Sequence, residues 1–132
     1  MAKPNYAITR QFGGDFAAAV LAIKEALGQE GFGILTEIDV SQTLKKKLGV
    51  NYPNYYILGA CNPPNAYKAL MAETEVGLLL PCNVIVFEKG DCVYISAIRP
   101  TIALTISDNQ ALKEIAQLIE DKLMAAVDRA VQ

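Results

Sequence analysis

The chain has 132 residues, enough for one ordinary domain over 1–132 and too few for a second. Apolar residues are 52% and charged residues 20%, which fits a globular chain with a core and excludes a disordered one. The formal charge is −2 and histidine is absent, so the balance argues against nucleic acid as a partner and removes Ser-His and Cys-His dyads.

Tyr6, Ile8 and Phe12 alternate with polar or small residues, the period of a first strand. Asp15 is an N-cap for a helix carrying Phe16, Val20, Ile23 and Leu27, with Gly28 as its stop. Phe32 to Ile38 reads as a second strand. Plain alternation puts Phe32, Ile34, Thr36 and Ile38 on one face and Gly33, Leu35, Glu37 and Asp39 on the other. A short helix follows from about Ser41 to Leu48, closed by Gly49. Its Lys45-Lys46-Lys47 run is the solvated side of a helix C-terminus, where cations are favoured.

Tyr55 to Cys61 is a third strand, and Asn62-Pro63-Pro64 is a strong helix start. That helix carries Ala66, Tyr67, Leu70 and Met71 and fades before Gly77. Asn83–Glu88 and Cys92–Ile98 flank Lys89-Gly90-Asp91 as a β-hairpin. Ile102 to Ile106 reads as a short extended piece. The last helix starts after Ser107 or Asp108, where Ser107-x-x-Gln110 fits a capping box, and ends near Ala130. Leu112, Ile115, Ile119, Leu123 and Ala126 form its apolar stripe. The fold class is therefore α+β: two layers, with helices packed on one face of a largely antiparallel sheet.

The longest apolar run, Val76 to Phe87, is broken by Gly77, Pro81 and Asn83 and is too short to span a bilayer. The residues before the first strand show no apolar signal region. The expectation is a cytoplasmic protein with no membrane partner, whose three cysteines are thiols.

In the hairpin, Cys82, Val84, Val86, Val93, Ile95 and Ala97 share one face, while Asn83, Ile85, Phe87, Cys92, Tyr94 and Ser96 share the other. Both sets are largely apolar, and a two-layer domain covers only one face with its own helices. The second face therefore calls for a homodimer contact or a ligand, unless the last helix or a loop folds over it.

Three stretches carry the chemistry: Thr36-Glu37-Ile38-Asp39, Ile57-Leu58-Gly59-Ala60-Cys61-Asn62-Pro63 and Leu78-Leu79-Leu80-Pro81-Cys82-Asn83. Together with the closing Arg99-Pro100, they closely resemble the domain of unknown function 302 family, over about Phe32 to Pro100. The resemblance implies a TATA-binding-protein-like α/β fold and a frequent dimer, with no established activity. Fold alone does not import DNA binding.

The ligand-binding candidates are Glu37, Asp39, Cys61, Asn62, Cys82, Asn83 and Arg99. Cys61 precedes a helix start, where a thiol pKa is lowered, but Cys also serves as a small core residue. Cys82 on the β-branched face reads as core, and Cys92 as a bystander. Asn62 and Asp39 have structural work as caps, Asp39 through Asp39-x-x-Gln42. Glu37 and Asn83 have none, and Glu37 among apolar neighbours needs a partner, a ligand or water. Arg99 pairs with Glu37 or Asp39, or holds an anion.

The leading expectation is a homodimeric, non-enzymatic small-ligand-binding or assembly module. The alternative is a thiol-dependent enzyme using Cys61 or Cys82 with Glu37 or Asp39 as proton acceptor. A soft-metal pair of Cys61 and Cys82 is a third reading, but without a CxxC or histidine the expectation is no metal site. The sequence names no cofactor.

Overall fold

The structure is a computed structural model and describes residues 4–132. The expectation of no signal region rests in part on residues 1–3, which lie outside the described residues. Strand β1 (Ala7–Phe12) leads through the Asp15 cap into helix α1 (Phe16–Gln29). Next come β2 (Gly33–Asp39), α2 (Val40–Leu48), β3 (Tyr55–Cys61) and α3 (Pro63–Ala72). A 3₁₀ segment (Thr74–Leu79) precedes the hairpin of β4 (Cys82–Lys89) and β5 (Cys92–Ile98). A short helix α4 (Pro100–Ala103), a 3₁₀ turn (Leu104–Ile106) and the long α5 (Gln110–Ala130) close the fold.

The five strands form one antiparallel sheet in the order β1-β5-β4-β3-β2. β1 and β2 are the two edges, so β1 pairs with β5 alone. Leu58, Val84, Val86 and Ile95 are fully buried on the inner face, together with Ile8, Ala60, Cys82, Val93 and Ala97. Helix α1 contributes Ala19, Ile23, Ala26 and Leu27 to this core. Helix α5 contributes the expected stripe, with Leu112, Leu123 and Ala126 wholly buried. The two faces of the hairpin divide as alternation predicts. The last helix does not wrap the second face: it lies on the inner face with α1.

Four expectations are corrected. Helix α1 does not stop at Gly28. It continues to Gln29, where the Glu30 N–H donates to the Ala26 and Leu27 carbonyls and Arg129 of α5 contacts the side chains of Gln29 and Glu30. The chain turns instead at Gly31, whose φ of +84° disfavours any side chain. Ile102–Ile106 is not extended. Pro100 opens a helical turn whose Thr101 N–H donates to the Glu120 carboxylate at 3.0 Å, so α5 supplies the anion that α4 needs at its N-terminus.

The capping box at Ser107 does not form. Asn109 caps α5, accepting from Ala111 N–H, while the Ser107 hydroxyl donates to Glu73. Finally, α3 docks on α5 through Ala69 and Asn65, and leaves Tyr67, Leu70 and Met71 exposed. A small residue at the contact lets the helix axes approach closely.

Candidate functional site

Alternation in β2 is broken by a bulge at Leu35: Ile34 pairs with Ala60, yet Thr36 pairs with Gly59. The extra residue reverses the faces beyond it. Thr36 and Ile38 therefore point to the bare face, and Glu37 and Asp39 to the helical side. Opposite Glu37 lies Leu58, a core residue. This overturns the placement of Glu37 away from the core. Its carboxylate accepts from Lys24 Nζ of α1 at 2.8 Å and from the Tyr56 hydroxyl at 3.2 Å. The Lys24 bond above all holds the Glu37 carboxyl below its ordinary range, and burial with the Glu37 bond pushes the Tyr56 phenol up. Glu37 is thus an exposed ion-pair partner.

The two cap assignments stand. Asp39 Oδ1 accepts from Gln42 N–H at 3.0 Å and from the Ser41 hydroxyl at 2.9 Å. Asn62 is buried and accepts from the Asn65 side-chain amide at 3.0 Å, while its own NH₂ reaches the Glu30 and Gly31 carbonyls. It joins the start of α3 to the turn before β2.

Arg99 pairs with neither Glu37 nor Asp39, which lie three strands away across the sheet. Its Nε donates to Glu120 Oε2 at 3.3 Å, and its Nη1 donates to the Asn5 carbonyl at 3.1 Å. Glu120 is 4% exposed and accepts from both the N–H and the hydroxyl of Thr101. Sequence reasoning missed Glu120, although a signal was present. It follows Ala116 by four positions and precedes Leu123 by three, on the buried side of α5.

Cys61 and Cys82 do converge, because β3 and β4 are neighbours and Ala60 pairs with Cys82. Both line a cavity of about 20 Å³ with Phe32, Pro81 and Ile119. Burial, with a smaller contribution from Cys61, pushes the Cys82 thiol up to about 11. That is the opposite of nucleophile activation. Glu37 and Asp39 are held by α1 and α2, so no proton acceptor from the candidate set joins the two sulfurs. Cys92 stands apart on the bare face and accepts from Gln11 Nε2 at 3.4 Å.

The bare face carries an aromatic row and a hollow. Tyr55, Phe87 and Tyr94 form a stacked row across β3, β4 and β5, with ring centroids 5.8 and 5.3 Å apart. Tyr52 leans on Tyr55 at 6.2 Å. Beside the row is a hollow of about 260 Å³, with Ile85 and Ser96 among its lining residues and Asn83 at one end. The paired hydroxyls of Thr9 and Ser96, 2.8 Å apart, line it together with Pro4 and Tyr6. Burial and the neighbouring Tyr52 and Tyr6 phenols push the Tyr55 hydroxyl up. Among the described residues, none that lines the hollow is charged. Of the predicted candidates, only Asn83 reaches this hollow.

Gly59 explains why the face is filled on the β2 side of Asn83. A Cβ there would strike the Thr36 hydroxyl and come within 2.9 Å of Pro81 Cγ. Thr36 and Pro81 lie over the bare backbone of β3 and fill the space that a side chain would take.

A search of the curated proteins finds no match. Among solved structures, the chain is similar to an uncharacterised conserved protein from Bacillus stearothermophilus, described as DUF302. The identity is 32%, the match covers 96% of this chain and 99% of that one, and the TM-score is 0.90. The family model described as "Domain of unknown function DUF302" matches residues 7–130. With nearly the whole chain matched, and with the motif blocks placed along β2, β3 and β4, the protein belongs to the DUF302 family.

Proposed function

We propose that this protein is a homodimeric, non-enzymatic binding module of the cytoplasm, whose bare sheet face is both the contact between two copies and the seat of a small uncharged ligand. One observation carries the reading: a sheet face without helices, bearing a hollow of about 260 Å³ whose described lining residues are uncharged. Two identical faces of this kind meet without opposing like charges. Five strands and six residue rows give a plan area near 480 Å² per copy at standard spacings. Two copies together reach about 1,000 Å², the lower bound for a specific interface. The apolar hollow with a few neutral hydrogen-bonding groups has the make-up of a ligand site. The thiol-dependent alternative has its sulfurs together but lacks both an activated thiol at Cys82 and a carboxylate beside it.

Sedimentation velocity at micromolar concentration tests the assembly. Wild type sediments as a dimer, and Ile85→Arg, which places a charge at the centre of the face, sediments as a folded monomer. A wild-type monomer at every concentration refutes the reading.

A further inference from the structure

A second hollow, of about 200 Å³, opens beneath α4 and the 3₁₀ turn that follows it. Leu79 and Pro81 form one wall, and Ala103 and Ile106 the other. Asn83 and Ile98 line this hollow and also the one on the bare face. The two spaces therefore lie on either side of this pair, where β4 begins and β5 ends. Each alone is below the roughly 300 Å³ at which small-molecule sites begin, and the two together exceed it.

The two hollows are chemically graded. The bare-face end holds the hydroxyls of Thr9 and Ser96, and the junction holds the exposed amide of Asn83. Beyond Asn83 the lining residues are apolar. Among the described residues, neither end has a charged lining residue. Among the described residues, the nearby cation Arg99 is bound to Glu120 and to the Asn5 carbonyl.

We infer that the two hollows form one bent site for a neutral amphiphile with a single aliphatic chain, the polar head on the sheet face and the chain beneath α4. This deepens the ligand half of the proposed function and rests on it. A buried anionic head would find no free cation among the described lining residues, which disfavours a free fatty acid. A neutral ester, alcohol or amide head can use Asn83, Thr9 and Ser96.

Calorimetric titration with two monoacylglycerols, one of four carbons and one of ten, tests the inference on the full chain. A fully buried methylene strengthens binding about fourfold. Allowing for partial burial, the ten-carbon ligand binds wild type at least tenfold more tightly than the four-carbon one. Ala103→Trp fills the far hollow and leaves the bare face untouched. It keeps the four-carbon affinity and loses the chain-length gain. Ile106→Asp at the rim, where the side chain is 79% exposed and substitution spares the core, reduces the same gain.

Binding of the four-carbon ligand with no gain for ten carbons overturns the inference and leaves the open-face reading standing. No binding of either ligand, with the dimer intact by sedimentation, overturns the inference together with the ligand half of that reading. Decanoate binding as tightly as its glycerol ester overturns the assignment of a neutral head.

Discussion

Replacing Glu120 separates structural from ligand roles at Arg99. Glu120 is 4% exposed and accepts from Arg99 Nε, Thr101 N–H and the Thr101 hydroxyl. Glu120→Ala strips all three donors of their acceptor. Breaking a buried pair costs about 3–5 kcal/mol, and the side chain of Arg99 is 36% exposed, which favours the low end, about 3 kcal/mol. Glu120→Gln keeps an acceptor for Thr101 and loses the charge, for about 1–2 kcal/mol. With a urea m-value near 2 kcal/mol/M, Glu120→Ala lowers the unfolding midpoint by about 1.5 M.

Arg99→Ala and the double variant complete a cycle. Because the pair shares one contact, the double variant is less destabilised than the two singles together, by at least about 1 kcal/mol. A midpoint for Glu120→Ala within about 0.2 M of wild type, or strict additivity in the cycle, refutes a structural role for the pair. Arg99 then returns as a candidate anion ligand.

Three further expectations follow from the same geometry. Gly59→Ala destabilises by about 1–3 kcal/mol, because the new methyl meets Thr36 and Pro81; thermal unfolding reads it, and an unchanged Tm contradicts the close approach. At pH 7.5, with its thiol near 11 against an ordinary 9.0, Cys82 carries about a hundredfold less thiolate than an unperturbed cysteine, so peptide mapping after brief iodoacetamide treatment leaves it last to react. Cys82 alkylating first would revive the thiol-dependent alternative.

The last of the three concerns Lys24→Ala, which lowers stability by under about 1 kcal/mol at pH 7. Its partner Glu37 has a lowered folded pKa, so the pair's contribution is present above the ordinary carboxyl value and disappears as pH falls through the folded one. Urea midpoints for wild type and variant therefore converge in acid, and a gap that widens in acid contradicts the ion pair.

Much of this arrangement was readable in the residues. β3 and β5 run over the expected spans, because turn signals bound both strands and their alternation is unbroken. Asn62 and Asp39 were legible as caps because capping is local, between residues three apart. Glu37 was misplaced because a bulge leaves no mark when the inserted residue is another Leu in an already apolar strand. Shifting one residue at Leu35 exchanged the faces of everything after it. Arg99 found its partner in Glu120, 21 positions away on a helix whose orientation follows from the packed core and not from spacing. The hollow was half legible. Alternation gave the composition of the bare face, but the order β1-β5-β4 that brings Thr9 beside Ser96 joins residues 87 positions apart.

That separation also sets a timetable for the protein's birth. β1 leaves the ribosome before the other four strands, yet β5, which alone pairs with it, follows almost ninety residues later. At about 5–20 residues per second, β1 waits roughly 4–17 s with its backbone donors and acceptors unpaired. β2 and β3, and then β3 and β4, join as they emerge, since each antiparallel pair is consecutive in the chain. The sheet therefore grows from its far edge inward and accepts its oldest strand last. During those seconds Ile8 and the apolar side of α1 are open to any chaperone that recognises nascent chains.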